Sequence, residues 1–239
     1  MKVTKMMGNA MEDWPVTLDE ARLVQERLKN KVVTEDRLDR VDYVAGTDVS
    51  YLPGTSRARA AWVVFQLPGL QLVDQATAEV QVYFPYVSGF LSFREIPPLM
   101  EAFSQLEIRP DLIVCDGQGI AHPRRFGLAC HLGVLLDIPA LGAAKSRLIG
   151  DYRMPQLERG SWSPLVWKDE TIGAVLCTKK GIKPIFVSSG HRISQQRGIE
   201  MVLHLTGKYK LPETTRAAHA LSKIYERRHT CAGNNSLPL

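Results

Sequence analysis

Three acidic residues of this 239-residue chain stand where acids suit the local structure poorly. Asp48 lies inside Val44-Ala45-Gly46-Thr47-Asp48-Val49-Ser50-Tyr51, and strand propensity disfavours aspartate in such a run. If buried, it needs a partner or a metal; the alternative is an exposed aspartate near a strand end. Asp116 closes the apolar segment Leu112-Ile113-Val114-Cys115 and precedes Gly117 and Gly119. Aspartate before glycine is also a common loop start. Glu95 ends Ser92-Phe93-Arg94-Glu95, which matches a capping box. Pro97 and Pro98 follow. Proline suits the first helical position and disfavours helix in the residue before it. The prolines therefore predict a helix starting near Pro97, with Glu95 ahead of it and free to point inward. Three carboxylates facing one another form an oxygen-rich site that is costly without a cation. Hard oxygen ligands favour Mg²⁺ or Mn²⁺. Such ions activate water and stabilise the leaving oxygen of a phosphodiester.

A second group of residues suits a nucleic acid. Phe84-Pro85-Tyr86-Val87-Ser88-Gly89-Phe90-Leu91 is a loop stiffened by proline, and a tyrosine held in it could stack on or replace a base. The alternative is a turn with its aromatic tucked into the core. His122, Arg124 and Arg125 follow the Asp116 segment, and Lys145 and Arg147 follow a second apolar run. Cations there suit phosphate contact, although singly each also fits a solvated surface. His191, Arg192 and Arg197 are expected to extend the same surface. His219 lies between Arg216 and Lys223 on the last helical pattern. It reads as solvated unless that helix packs across the acids.

The elements that must position these residues are legible as patterns. Thr17 to Val33 is an amphipathic helix with Thr17 as its N-cap. Tyr43–Tyr51, Ala58–Leu67 and Gln71–Phe84 read as strands, with Pro53-Gly54 and Pro68-Gly69 as their turns. Helix, strand, helix, strand then follow at Leu99–Leu106, Leu112–Cys115, Phe126–Leu136 and Pro139–Ala143. This order describes an α/β fold. It has a mixed sheet of three antiparallel strands followed by parallel ones, flanked by helices. The first and fourth strands lie side by side, about 4.8 Å apart, so carboxylates on one face can share a cation. A hairpin at Trp162–Cys177, a strand at Pro184–Val187 and helices at Ser194–Leu205 and Thr214–Arg228 complete the chain, with Gly207 as a C-cap.

Composition bounds the rest. With 45% hydrophobic residues the chain suits one domain, here 17–229, between a loose segment 1–16 and a frayed tail 230–239. A net charge of +5 permits nucleic-acid binding without requiring it. The four cysteines form no CxxC pair, which argues against zinc and for a reducing compartment. No apolar run suits a signal peptide or a membrane span, so a cytoplasmic monomer is expected.

Val-Ala-Gly-Thr-Asp48-Val-Ser, Phe-Pro85-Tyr86-Val-Ser-Gly89-Phe-Leu-Ser-Phe-Arg94-Glu95, Asp116-Gly-Gln-Gly-Ile-Ala-His122-Pro-Arg-Arg and Gly142-Ala-Ala-Lys145-Ser-Arg147-Leu occur in this order. Together they resemble the endonuclease V family over about Ala21 to Lys223. The resemblance implies a ribonuclease H-like fold and a Mg²⁺-dependent endonuclease acting at deoxyinosine, with Mn²⁺ as a substitute. It implies cleavage of the second phosphodiester on the 3′ side, leaving 3′-hydroxyl and 5′-phosphate ends. Other deaminated bases or mismatches, inosine-containing RNA and branched DNA are the alternative substrates. By the same resemblance Asp48, Glu95 and Asp116 are metal ligands, Lys145 an active-site lysine and His219 a residue near the metal. Tyr86, with Pro85 and Val87, is a wedge, and Gly89, Leu91 and Gly117 line a lesion pocket. One departure is Val87-Ser88, where many relatives carry isoleucine and proline. It removes one φ restraint.

Overall fold

The computed structural model describes residues 14–224. Eight strands form one sheet in the order β3-β2-β1-β4-β5-β8-β7-β6. β1 (Tyr43–Tyr51), β2 (Arg57–Gln66) and β3 (Gln71–Gln81) are the antiparallel meander. β4 (Leu112–Cys115) pairs parallel with β1, and β5 (Ala140–Ala144) pairs parallel with β4. β6 (Trp162–Trp167), β7 (Glu170–Leu176) and β8 (Ile185–His191) extend the sheet antiparallel beyond β5. The mixed sheet expected from the element order, three antiparallel strands and then parallel ones, is observed, and β6–β8 extend it.

Among the described residues, five helices flank the sheet. α1 is Leu18–Lys29, α2 Ser92–Phe103, α3 Leu128–Leu136, α4 Gln195–His204 and α5 Glu213–Ser222. α2 and α3 pack Ile96, Leu99 and Leu132 against Ala45, Trp62 and Ile113. α4 and α5 pack Ile199, Val202 and Ala218 against Val44, Val63 and Leu141. The central strands are buried on both faces, which is why they read as continuous apolar runs. α1 starts at a capping box formed by Thr17 and Glu20 and leans Leu28 on Phe126 and Cys130.

Gly46 lets α5 approach. A Cβ there would lie 2.2 Å from the Thr214 backbone, so only glycine permits this closeness of helix and strand. Cys115, Cys130 and Cys177 are buried free thiols. Among the described residues no helix is long and apolar enough to cross a membrane.

Some expectations change. α2 begins at Ser92, not near Pro97, and holds both prolines inside it, so Glu95 sits in its first turn. The position of Pro97 would normally supply a donor to the Phe93 carbonyl. That carbonyl instead accepts the Trp14 indole N–H at 3.0 Å, and Pro98, Leu99 and Phe103 are buried against the sheet side. The first helix ends at Lys29 rather than Val33, and α4 is capped by Leu205 rather than Gly207. α5 ends at Ser222; residues expected to continue it beyond 224 lie outside the described residues, as do 1–13 and the tail at 230–239.

Candidate active site

The acids come from three elements. Thr47 pairs with Cys115 across the parallel β1–β4 ladder. Asp48, still within β1, and Asp116, just past β4, are each one residue further on and therefore lie side by side on adjacent strands. Glu95 arrives from α2 and is buried. Burial holds its carboxyl well above the usual range, and the charges of Asp48 and Asp116 push it further up. Burial raises the Cys115 thiol to about 12, and the Glu95 and Asp116 charges add to the rise.

Each aspartate already has partners. Asp116 Oδ2 accepts from Lys145 Nζ at 2.6 Å. Asp48 Oδ2 accepts from Ser222 Oγ at 2.6 Å and stands 3.3 Å from His219 Nδ1. α5 thus does cross the acidic cluster, and His219 faces it rather than open solvent alone. Among the described residues no three His, Cys, Asp or Glu side chains form a ready-made metal group. Arg94 ties the cluster to the wedge loop: its Nη1 donates to the Phe84 carbonyl, its Nε to Tyr51 Oη at 3.4 Å, and its guanidinium lies 4.6 Å over the Tyr51 ring. Burial and then the Glu95 charge push the Tyr51 hydroxyl up to about 12.

A cleft of about 310 Å³ opens beside Asp116 and Lys145. Tyr86, Val87, Gly89, Leu91, Gly117 and Arg147 line it. Tyr86 is 74% exposed, which rules out the core-tucked alternative for its ring. Its loop is anchored by Phe84, Phe90 and Phe93, which cluster with Ala21 of α1. Ser88 is exposed. The opposite wall is pinned through its backbone: Gly119 N donates to Ser188 Oγ at 2.8 Å and Gln118 Nε2 to the Ser146 carbonyl at 2.9 Å.

The expected basic residues divide into groups. His122 and Arg124 turn polar atoms onto the Gly89 carbonyl at 3.0 and 2.6 Å. Only a protonated Nε2 can donate there, so His122 Nδ1 accepts from Arg124 N at 3.2 Å. Burial, aided by the Arg124 charge, pushes the imidazole down to about 4. Arg125 pairs with Glu170. Arg147 stays at the cleft edge, half-exposed, with Nη1 on the Gly150 carbonyl at 2.6 Å and Asp151 at 3.0 Å. His191 and Arg192 do not extend this surface. His191 pairs with Ala140 at the far end of β5, and Arg192 bonds Asp137.

Two participants were not singled out from the chain alone. Ser222 lies three residues after His219, on the same helical face. Gln25 is fully buried and donates Nε2 to the Gly89 carbonyl at 3.0 Å. Its signal was a polar residue on the Ala21–Leu28 face of an amphipathic helix.

With this geometry in hand, relatives identify the chain. The Endonuclease V family profile matches residues 26–220. Endonuclease V of Nostoc punctiforme is 49% identical over 210 residues, 87% of this chain and 95% of the relative. The crystal structure of endonuclease V from Streptomyces avermitilis superposes with a TM-score of 0.87 at 43% identity, covering 92% of this chain and 97% of that one. Endonuclease V of Ciona intestinalis, in complex with a 23mer DNA containing an inosine followed by a ribo-adenosine, superposes with a TM-score of 0.79 at 30% identity, covering 89% and 98%. Sequence motifs, sheet order and whole-chain similarity agree: the chain belongs to the endonuclease V family.

Proposed function

We propose that this protein recognises deoxyinosine in DNA and hydrolyses the second phosphodiester on its 3′ side, leaving 3′-hydroxyl and 5′-phosphate ends. One observation carries the reading. The cleft behind the exposed Tyr86 ends on Asp116 and Lys145, so a base held there places its own strand beside the acids.

A divalent cation fits the donor set. Asp48, Asp116 and Glu95 offer hard oxygens, and the upward push that the two aspartates exert on Glu95 is the repulsion a cation relieves. These three residues would hold Mg²⁺, or Mn²⁺ in its place. When bound, the ion supplies Lewis acidity to the phosphodiester and acidifies a water.

The chain's own groups do the remainder. Tyr86 enters the stack as the lesion nucleotide rotates out, a step that costs least at a weakened pair. Gly89, Leu91 and Gly117 form the pocket wall. Hypoxanthine lacks the 2-amino group of guanine, and unlike adenine it offers an O6 acceptor and an N1–H donor. Backbone groups in a close-fitting wall tell these apart by hydrogen bonds and shape. Lys145 exchanges its hold on Asp116 for the scissile phosphate. His219 and Ser222 keep the Asp48 carboxylate oriented. The buried free thiols Cys115, Cys130 and Cys177 fit a reducing, cytoplasmic setting.

The deciding assay is nicking of a single-inosine duplex against its unmodified control, with Mg²⁺ and with EDTA, followed by mapping of the product ends. Cleavage of both duplexes alike, or EDTA-resistant cleavage, overturns the reading. The inosine in the Ciona complex precedes a ribonucleotide, so inosine RNA and a branched junction belong in the same substrate series.

A further inference from the structure

One backbone carbonyl behind the cleft wall collects an unusual number of donors. Gly89 O accepts from Gln25 Nε2 at 3.0 Å, His122 Nε2 at 3.0 Å and Arg124 Nη2 at 2.6 Å. A carbonyl oxygen has two lone pairs, so these donors, one of them cationic, saturate it and aim it firmly. Gly89 is held at φ +80°, a conformation suited to glycine. The Gln25 amide is itself oriented, because its Oε1 accepts from Arg124 Nε. The Arg124 guanidinium then lies 4.2 Å over the ring of Phe90, the next residue of the loop.

Gln25 differs from the other two donors in origin. His122 and Arg124 follow the Asp116 loop, whereas Gln25 stands on α1, 64 positions before Gly89. α1 is independently seated, through Ala21 on Phe84, Phe90 and Phe93 and through Leu28 on Phe126 and Cys130. It is therefore a fixed support, and the Gln25 amide is its polar contact with the wedge loop. Tyr86 lies three residues before the braced carbonyl, exposed. A loop ordered before DNA arrives spends less binding energy on ordering afterwards.

We propose that Gln25 is a positioning residue for lesion recognition: from α1 it braces the Gly89 carbonyl, and so sets the pocket wall and the Tyr86 loop in their binding geometry. The proposal rests on the reading of the cleft as a base pocket. Gln25 touches no substrate itself, so its removal acts on binding rather than on the reacting atoms.

Two variants test it. Gln25→Leu removes both amide contacts, whereas Gln25→Glu keeps an acceptor for Arg124 and loses the donor to Gly89. Steady-state cleavage of a single-inosine duplex is measured with each, together with backbone hydrogen exchange. For Gln25→Leu, KM rises roughly tenfold to a hundredfold, the scale of a lost hydrogen bond to a charged group, here the Arg124 guanidinium. Its kcat stays within about twofold, the signature of weakened uniform binding. Exchange accelerates in residues 84–91 and not in β1 or β4. Gln25→Glu shifts both readouts in the same direction and serves alone if the leucine variant does not fold. Unchanged KM, a fall in kcat at constant KM, or unchanged exchange in residues 84–91 overturns the brace. A wild-type protein with no preference for inosine overturns the functional reading instead, and the exchange data still judge the brace without reference to any lesion.

Discussion

Gly46→Ala is the sharpest test of how α5 reaches the acids. The added Cβ would sit 2.2 Å from both the carbonyl carbon and oxygen of Thr214, and 2.8 Å from its Cβ. Ordinary contact begins near 3.4 Å, so α5 must withdraw by about 1.2 Å, the difference of these distances, or β1 must bend by as much. The obstruction is backbone, so no rotamer change relieves it. Overpacking of this kind costs roughly 1–3 kcal/mol, and in a domain of this size that lowers Tm by about 2–12 °C. The withdrawal also carries His219 and Ser222 away from Asp48, which they now meet at 3.3 and 2.6 Å. A displacement of about 1 Å at a reacting group costs on the order of a hundredfold in rate. Denaturant unfolding and single-turnover nicking of inosine duplex, run on the same preparation below its Tm, separate the two effects. The expected result is a folded protein with modestly lower stability and a disproportionate loss of rate. Wild-type rate in a destabilised variant would show that the placement of α5 does not matter to chemistry. Wild-type stability would refute the packing argument itself.

Asp116→Ala should still bind inosine duplex in a gel-shift assay while cutting at least roughly a hundredfold more slowly, because charge stabilisation of several kcal/mol is lost; retained cation-dependent cleavage sinks the ligand assignment. Tyr86→Ala should weaken inosine-duplex binding about fivefold to a hundredfold, the worth of one base–aromatic stack, with little change in Tm since the ring is exposed. Unchanged affinity removes the wedge role. Stability should fall as pH is lowered. Burial depresses His122 to about 4 and His131 to about 3, against an unfolded value near 6.5. The unfolded chain thus binds the protons first, and stability present above about pH 6.5 is lost at up to about 1.4 kcal/mol per pH unit for each histidine as pH falls toward 4. Urea unfolding from pH 7 to 4.5 checks this; a flat profile in the double variant His122→Gln, His131→Gln, beside a sloped wild type, identifies the groups.

Much was written in the chain itself. Period-two and continuous apolar runs marked the strands, because a sheet buried on both faces leaves no choice of residue type along β1, β4 and β5. Asp48 and Asp116 stood out for the same reason, as charges within and at the end of such runs. The helix around Glu95 was misjudged in its start, since local proline rules do not know that the Trp14 indole will take the carbonyl left without a donor. His122 and Arg124 looked like phosphate ligands in sequence, where a basic residue beside glycine has no visible partner. Folding supplied one in the Gly89 carbonyl, together with Gln25 from a distant helix.

The division follows from the range of the forces involved. Propensity, periodicity and capping act within a few residues, so the amino-acid order alone marked the strands and the acids on or beside them, whereas the exposure of Tyr86 came only with the fold. Which carboxylate meets which partner depends on contacts between residues far apart in the chain. Asp48 with Ser222, 174 positions away, and Gln25 with Gly89, 64 away, exist only because α5 can close on Gly46 and α1 on the wedge loop. Backbone approach at the Gly46 seam and a side-chain contact at the α1 seam, which no local pattern encodes, decided how the site is assembled.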